Sequence, residues 1–323
     1  MSQHWTDNKL KQMLVSLSNL GEKQTLEIFN ISQETLNRYK REIKTRNIKV
    51  DNKSGVLSKI ADLYSDKELE TIAKGGRLVP GMKKVPVVDF DGERIRIGAM
   101  SDTHLGSKYT HPEFIHQALE EFRKEGVDMV VHVGDVTEGM SKRDGHVYEL
   151  SHIGYHQQKA HAIEVLGEWT ETPAYAIDGN HDRWYMQNSD TGAIIVSDIC
   201  DALPNWTFLG HDEGDISLGG IATLKLWHGL DGSSYALSYR LQKIIESLSG
   251  GEKPSVLLCG HVHKYVHIFE RMVHAVSVGC MQRQSQWMRG KRLAAHVGFC
   301  IMDVYINKSG VCKFANTFYP FYT

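Results

Sequence analysis

Two kinds of periodicity divide the chain. Over the first 75 residues apolar positions return every three or four: Leu10, Met13, Leu14, Leu17 and Leu20, then Leu26, Ile28 and Phe29, then Ile31, Leu36, Tyr39 and Ile43. That spacing lays one apolar stripe along a helix and predicts helices with little strand. Gly21 marks a stop. Asn30-Ile31-Ser32 marks a tight turn, because Asn tolerates a left-handed backbone and Ser32 can cap the helix that follows. Asp51 to Gly55 reads as a turn-rich link, and 56–64 carries another helical stripe. Ser65-Asp66-Lys67-Glu68 then has the form of a capping box, opening a short helix that ends near Gly75-Gly76.

From about Val79 the pattern changes. Runs rich in Val, Ile and Leu at 94–100, 127–133 and 174–177 alternate with amphipathic stretches at 112–124 and 153–169, which implies βαβ units and parallel strands. Later the strands crowd together. Ile216 to Leu218 and Ile221 to Trp227 flank Gly219-Gly220, a hairpin signal, and 256–259, 265–269, 275–278 and 297–306 follow with one clear helix at 233–248. The expectation is an α/β fold: a two-sheet β-sandwich flanked by helices over 79–323, preceded by a small all-α domain over 1–78.

Composition narrows the class. With 323 residues, 41% apolar and 24% charged, the chain has ordinary globular usage and can bury a sizeable core. Its five cysteines form no CxxC pair, which argues against a disulfide framework or a thiolate zinc knot and fits a reducing compartment. The start has no apolar signal region, and no stretch approaches the roughly 18 apolar residues that span a bilayer, so a cytoplasmic protein without a membrane partner is expected.

Charge is unevenly distributed. Residues 1–50 hold nine Lys/Arg against five Asp/Glu, a balance of +4, which leaves −6 for the remainder of a chain whose net charge is −2. A basic head on a mildly acidic body suits contact with nucleic acid. The run Asn30 to Tyr39 resembles the helix-turn-helix pattern, with Thr35, Asn37, Arg38, Lys40 and Arg41 as the residues facing a DNA groove or its phosphates. The same helices could instead form a hairpin for assembly, as a homo-oligomer or with a repair or replication partner.

The chemistry lies where polar residues follow strands. Asp102-Thr103-His104 follows the first, Gly134-Asp135 the second, and Gly179-Asn180-His181-Asp182 the third. His228-Gly229 ends the hairpin strand, and Gly260-His261-Val262-His263 follows 256–259. Loops at the carboxyl ends of strands form the ligand crevice of open α/β sheets, so these side chains can converge across about 160 positions of sequence. Two carboxylates, an amide oxygen and several imidazoles without thiolate suit Mn²⁺, Fe or Zn²⁺ better than Ca²⁺. Seven donors exceed one tetrahedral ion and match two divalent ions sharing a carboxylate.

In order and in wording, these motifs resemble the calcineurin-like metallophosphoesterase superfamily over about 95–270, and Ser101 to Gly106 resembles the opening motif of Mre11-type and SbcD-type DNA nucleases. The resemblance implies that Asp102, His104 and His263 hold one metal and Asn180, His228 and His261 the other, with Asp135 bridging them. It places His181 at the scissile phosphate as general acid or charge stabiliser, with Asp182 in a supporting catalytic role. The serine/threonine phosphatases of that superfamily carry an Asp and an Arg after Gly-Asp, whereas here Val136-Thr137-Glu138-Gly139 follows.

Chemistry and resemblance together point to a two-metal phosphoester hydrolase acting on DNA, expected to work by in-line attack of a metal-bridging hydroxide on the neutralised diester, with His181 assisting the leaving group. A nucleotide phosphodiesterase, or a non-catalytic subunit of a replication or repair complex, stand as alternatives. Lys142 and Arg143, just past Asp135, are candidates for substrate phosphates. Trp184 and Tyr185 would cover the pocket or stack on a base, and the basic and aromatic segment 282–292 is a further nucleic-acid candidate. His132, inside a strand, reads as a packed residue, and His152 and His156 as one face of a surface helix.

Overall fold

A computed structural model of the chain describes residues 7–46, 48, 85–187, 193–230, 232, 236–248 and 253–322. They fall into two units, one within 1–84 and one within 85–323. The expected link at 51–55, the helices over 56–76 and the boundary at 78/79 lie outside the described residues.

In the first unit α1 (Asp7–Phe29) is two helices across a kink, since Gly21 sits at φ 76°, ψ 176°. Asn30 takes φ 50°, and the Ser32 hydroxyl accepts the Thr35 N–H at 3.3 Å to cap α2 (Gln33–Thr45). Leu36, Tyr39 and Ile43, three and four apart, bury one face of α2 against Leu10 and Met13. Both punctuation marks read from the sequence therefore act as expected.

The second unit holds two six-stranded sheets. One runs β12 (Gly310–Pro320), β11 (Gly298–Asn307), β2 (Arg94–Met100), β3 (Met129–Val133), β4 (Ala174–Asp178), β5 (Trp206–His211). The other runs β1 (Val87–Val88), β6 (Glu213–Leu218), β7 (Ala222–Trp227), β8 (Val256–Cys259), β10 (Val273–Val278), β9 (Tyr265–Glu270). Strands β2 to β5 are parallel, as the βαβ pattern requires, while β11 pairs antiparallel with both β2 and β12. In the β6–β7 hairpin Gly219 and Gly220 both take positive φ (58° and 70°), which only glycine adopts freely in consecutive positions.

Side-chain alternation assigns the faces. Ile95, Ile97 and Ala99 of β2 join Val131, Val133, Leu224, Leu226 and Leu258 between the sheets. Helices α3 (Pro112–Glu125), α4 (Tyr155–Leu166) and the later Ile195–Ala202 bury Phe122, Ala162 and Ile199 over the outer face of the first sheet. The helix over Leu237–Ser247 covers the second with Leu241 and Ile245, and residues 233–235 of its expected range lie outside the described residues. A buried shell on both sides of each central strand explains why β3, β4 and β8 are buried at every position and apolar but for His132 and Asp178. At the carboxyl ends of these strands the backbone is free to turn, and there the polar loops gather.

Candidate metal centre

The loops after β2, β3, β4, β7 and β8 meet at one edge of the sandwich and bring all seven expected donors together. Five of them are held in an unusual backbone state: Asp102 (φ 52°), His104 (46°), Asp135 (51°), His261 (77°) and His263 (54°) all lie in the left-handed region. Such strain in residues other than glycine persists only where surroundings impose it, and it concentrates at functional sites. Tight loop ties do so here, with Asp102 N–H on the Gly134 carbonyl and His104 N–H on that of Asp135, each at 3.0 Å.

The donors form overlapping groups. Asp102, His104 and His263 converge, as do Asp135, His228 and His261, and a third set joins His104, Asp135 and His181. Within the first, His263 Nε2 stands 3.2 Å from Asp102 Oδ1 and 3.1 Å from His104 Nε2. Asp135 Oδ2 stands 3.1 Å from His228 Nε2 and 3.8 Å from His104 Nε2, so one oxygen faces both sides. Asn180 Oδ1 lies 2.8 Å from His261 Nδ1. Asp102, His104, Asp135, His228 and His263 are buried, and Asn180, His181 and His261 half-buried.

This arrangement fits cations. His228 Nδ1–H donates to the Val133 carbonyl at 2.7 Å, which turns the lone pair of Nε2 on the Asp135 carboxylate; Nε2 makes no hydrogen bond of its own. Two acceptors face one another, and only a proton or a metal ion between them relieves the repulsion. Burial would drive His228 towards neutrality, yet the Asp135 charge prevails and raises it to about 9. His263 is likewise raised well above its ordinary value against its own burial, by Cys280 and Asp102 beside it. Conversely, burial would raise Asp135, but the His228 and His181 rings hold it well below the usual carboxylate range. Such a set of nitrogen and carboxylate oxygen donors suits Mn, Fe or Zn.

His181 lies beside these groups. Its Nδ1–H donates to the Glu138 carbonyl at 2.9 Å, its ring meets that of His104 edge-on at 4.5 Å, and Trp184 covers it at 4.0 Å. Burial lowers its pKa. Asp182 behaves differently: it accepts the N–H groups of Val136, Thr137 and Gly179 and the Thr137 hydroxyl, and so clamps the loop after β4 to the loop after β3. Burial, with Asp135 nearby, pushes it up to about 7.

Other expected residues are scattered. Arg143 lines the pocket of about 440 Å³ above the donors and pairs with Glu149 at 2.7 Å, whereas Lys142 is exposed on the same loop and is not in the lining. Of the DNA-facing candidates, Asn37, Arg38 and Arg41 are exposed on α2, Thr35 belongs to the Ser32 cap, and Lys40 pairs with Glu22. His132 is buried with Nε2 2.9 Å from the Thr103 hydroxyl, as a packed residue. His152 precedes α4 and stacks on His161 at 4.1 Å, so it shares no helix face with His156.

Glu138 escaped the sequence reading. Its carboxylate is buried, with one oxygen 3.0 Å from His104 Nδ1 and the other accepting from His146 Nε2 at 3.0 Å, while Gln282 donates to it at 3.0 Å. Burial would raise its pKa, but the His104 contact outweighs this and holds it far below the usual range. The available signal was its place three residues after Asp135, on the same strand-end loop.

Over residues 95–304 the chain matches the calcineurin-like phosphoesterase superfamily domain. It belongs to that superfamily and is a metal-dependent phosphoester hydrolase. Among solved structures it is similar to an archaeal phosphodiesterase (19% identity, 70% of this chain and 100% of that one, TM-score 0.40). It is also similar to YfcE, a phosphoesterase from E. coli (18%, 68% and 98%, 0.39), and to Vacuolar Protein Sorting 29 from Cryptosporidium parvum (14%, 71% and 100%, 0.37). Comparison with curated proteins gave no match. Among the described residues no helix is long and apolar enough to cross a membrane.

Proposed function

We propose that the chain cleaves phosphodiesters of nucleic acid, DNA first among them, with two divalent cations, Mn²⁺ by preference and Fe or Zn as alternatives. What supports this most is that buried donors form groups on either side of a shared carboxylate, Asp135. An anionic diester repels nucleophiles and needs positive charge concentrated at one point. In this reading Asp102, His104 and His263 hold one ion, Asn180, His228 and His261 the other, and Asp135 touches both. Cations held there would neutralise the phosphoryl oxygens and bring the pKa of water to about 7.

The chain's own residues supply the rest. With His181 Nδ1–H committed to the Glu138 carbonyl, Nε2 is the position that delivers a proton to the leaving oxygen. An anionic phosphate alongside raises the imidazole pKa that burial lowers, so bound substrate itself arms the acid. Asp182 holds the loop that carries His181, and Arg143, with Lys142 further out, meets flanking phosphates. The exposed Asn37, Arg38 and Arg41 of α2 provide a second contact with DNA, with Thr35 and Lys40 keeping the turn in shape.

The test is parallel incubation of purified protein and Mn²⁺ with labelled single-stranded DNA, duplex DNA, RNA and cyclic nucleotides. DNA cleavage ahead of the others is expected. Turnover of cyclic nucleotides alone would move the substrate to small nucleotides, and inertness towards all of them with metal bound would favour a non-catalytic subunit. Removing residues 1–78 should weaken duplex binding and flatten its salt dependence; unaltered binding would take DNA away from the head.

A further inference from the structure

We infer that the pocket above the donors receives a single unpaired nucleoside, its base stacked on Trp287, so that the reacting nucleotide stands clear of any duplex. This rests on the phosphodiesterase reading above. A space of about 440 Å³ has the size of a small-molecule site and takes one nucleotide rather than the side of a double helix.

The walls are chemically uneven. Although segment 282–292 is rich in cations, what it contributes to the lining is Gln282, Ser285, Trp287 and Met288, and none of Arg283, Arg289, Lys291 or Arg292. The cation that does line the pocket, Arg143, is held by both oxygens of Glu149 at 3.2 and 2.7 Å. That leaves the part of the wall formed by 282–292 uncharged, which suits a base and sugar, with Arg143, oriented by Glu149, as the lining cation for a flanking phosphate.

Two tryptophans face this space, and they differ. Trp184 is already occupied, lying against His181 at 4.0 Å with the rings tilted by 35° and met edge-on by His146 at 5.7 Å. Trp287 is 45% exposed, and its ring meets no other aromatic ring or cation among the described residues. It is also held in place: the Ser285 hydroxyl accepts the Met288 N–H at 3.2 Å to cap the short helix Gln286–Gly290, and buried Met288 anchors it. A large indole fixed at a pocket wall with an open face is a platform for a flat partner, since every base has a π-face.

Two substrates with one leaving group separate the possibilities: thymidine 5′-(4-nitrophenyl phosphate) and methyl 4-nitrophenyl phosphate, with Mn²⁺ present. The wild-type chain should prefer the nucleoside ester in kcat/KM by about tenfold or more, the effect of one stacked base. The ratio should fall towards one in Trp287→Ala and be largely kept in Trp287→Phe, and a ratio within active protein is insensitive to loss of folded material. A blunt duplex should be cut more slowly than the same strand unpaired. Equal use of both esters by the wild type, or a preference that survives Trp287→Ala, would overturn the nucleoside site while leaving the phosphodiesterase reading intact. Failure to cleave either ester with metal bound would remove both.

Discussion

Glu138 Oε2 stands 3.0 Å from His104 Nδ1, the ring nitrogen opposite the one that faces Asp102, Asp135 and His263. Ligand histidines depend on such a partner to fix the ring and its tautomer, and losing it costs about 10- to 100-fold in metal affinity. Glu138→Gln should weaken Mn²⁺ binding within that range in a calorimetric titration, with folding retained. Wild-type affinity would leave the contact without a role in metal binding.

His181→Ala should lower turnover of bis-4-nitrophenyl phosphate by about 10²- to 10⁴-fold, the usual contribution of a positioned acid. Its Mn²⁺ content should not fall below wild type, because the proposed donor set is complete without it. Asp135→Asn should lose both metal and turnover. If the asparagine form kept both, the shared-carboxylate assignment would fail.

Gly179→Ala should damage the site from behind. A Cβ there would lie 2.2 Å from Asp135 Oδ1 and 2.5 Å from Asp135 N, and neither atom can withdraw without moving the donor. Overpacking of this kind costs about 1–3 kcal/mol. A lower Tm together with weakened Mn²⁺ binding is expected, whereas Gly290→Ala, which meets nothing within 4 Å, should be silent in both. Equal Tm values for the two variants would argue that the loop after β4 yields.

His132 should mark the acid limit of stability. Burial pushes its pKa down to about 3 from an ordinary 6.5, so the folded chain keeps it neutral while the unfolded chain takes up a proton. Its contribution is therefore complete above pH 6.5 and lost as pH falls towards 3, on the order of 3 kcal/mol by pH 4. His132→Gln, able to keep a bond to Thr103, should show a shallower fall in unfolding free energy between pH 7 and 4. Parallel curves for the two proteins would contradict this.

How much was legible in the sequence followed from local pattern. Strand β2 lies at the residues its alternation marks, and the donors stand at strand ends because each strand's apolar run stops where its Asp, Asn or His begins. The helix Ile195–Ala202 was missed because eight residues rich in Ile and Val read as well as strand. Strand β12 was missed because it is an edge strand whose Lys313, Asn316 and Thr317 interrupt the apolar pattern. Glu138 was hidden for another reason: its partners His104, His146 and Gln282 come from three separate loops, and no spacing along the chain announces them.

The seven donors are unevenly supplied. Asp102, His104, Asp135 and Asn180 follow strands of one sheet, and His228, His261 and His263 follow strands of the other. An ion held by donors from both would tie the two sheets together across the seam, as a rivet joins two plates. Without metal the plates are still tied at that edge by the His261 N–H on the Asp102 carboxylate and the His228 Nδ1–H on the Val133 carbonyl. The extra protons of His228 beside Asp135 and of His263 beside Asp102 are the part that alkali would strip away. Loading at 100 times the dissociation constant should then add about 2.7 kcal/mol, and hydrogen exchange should slow first along this rim.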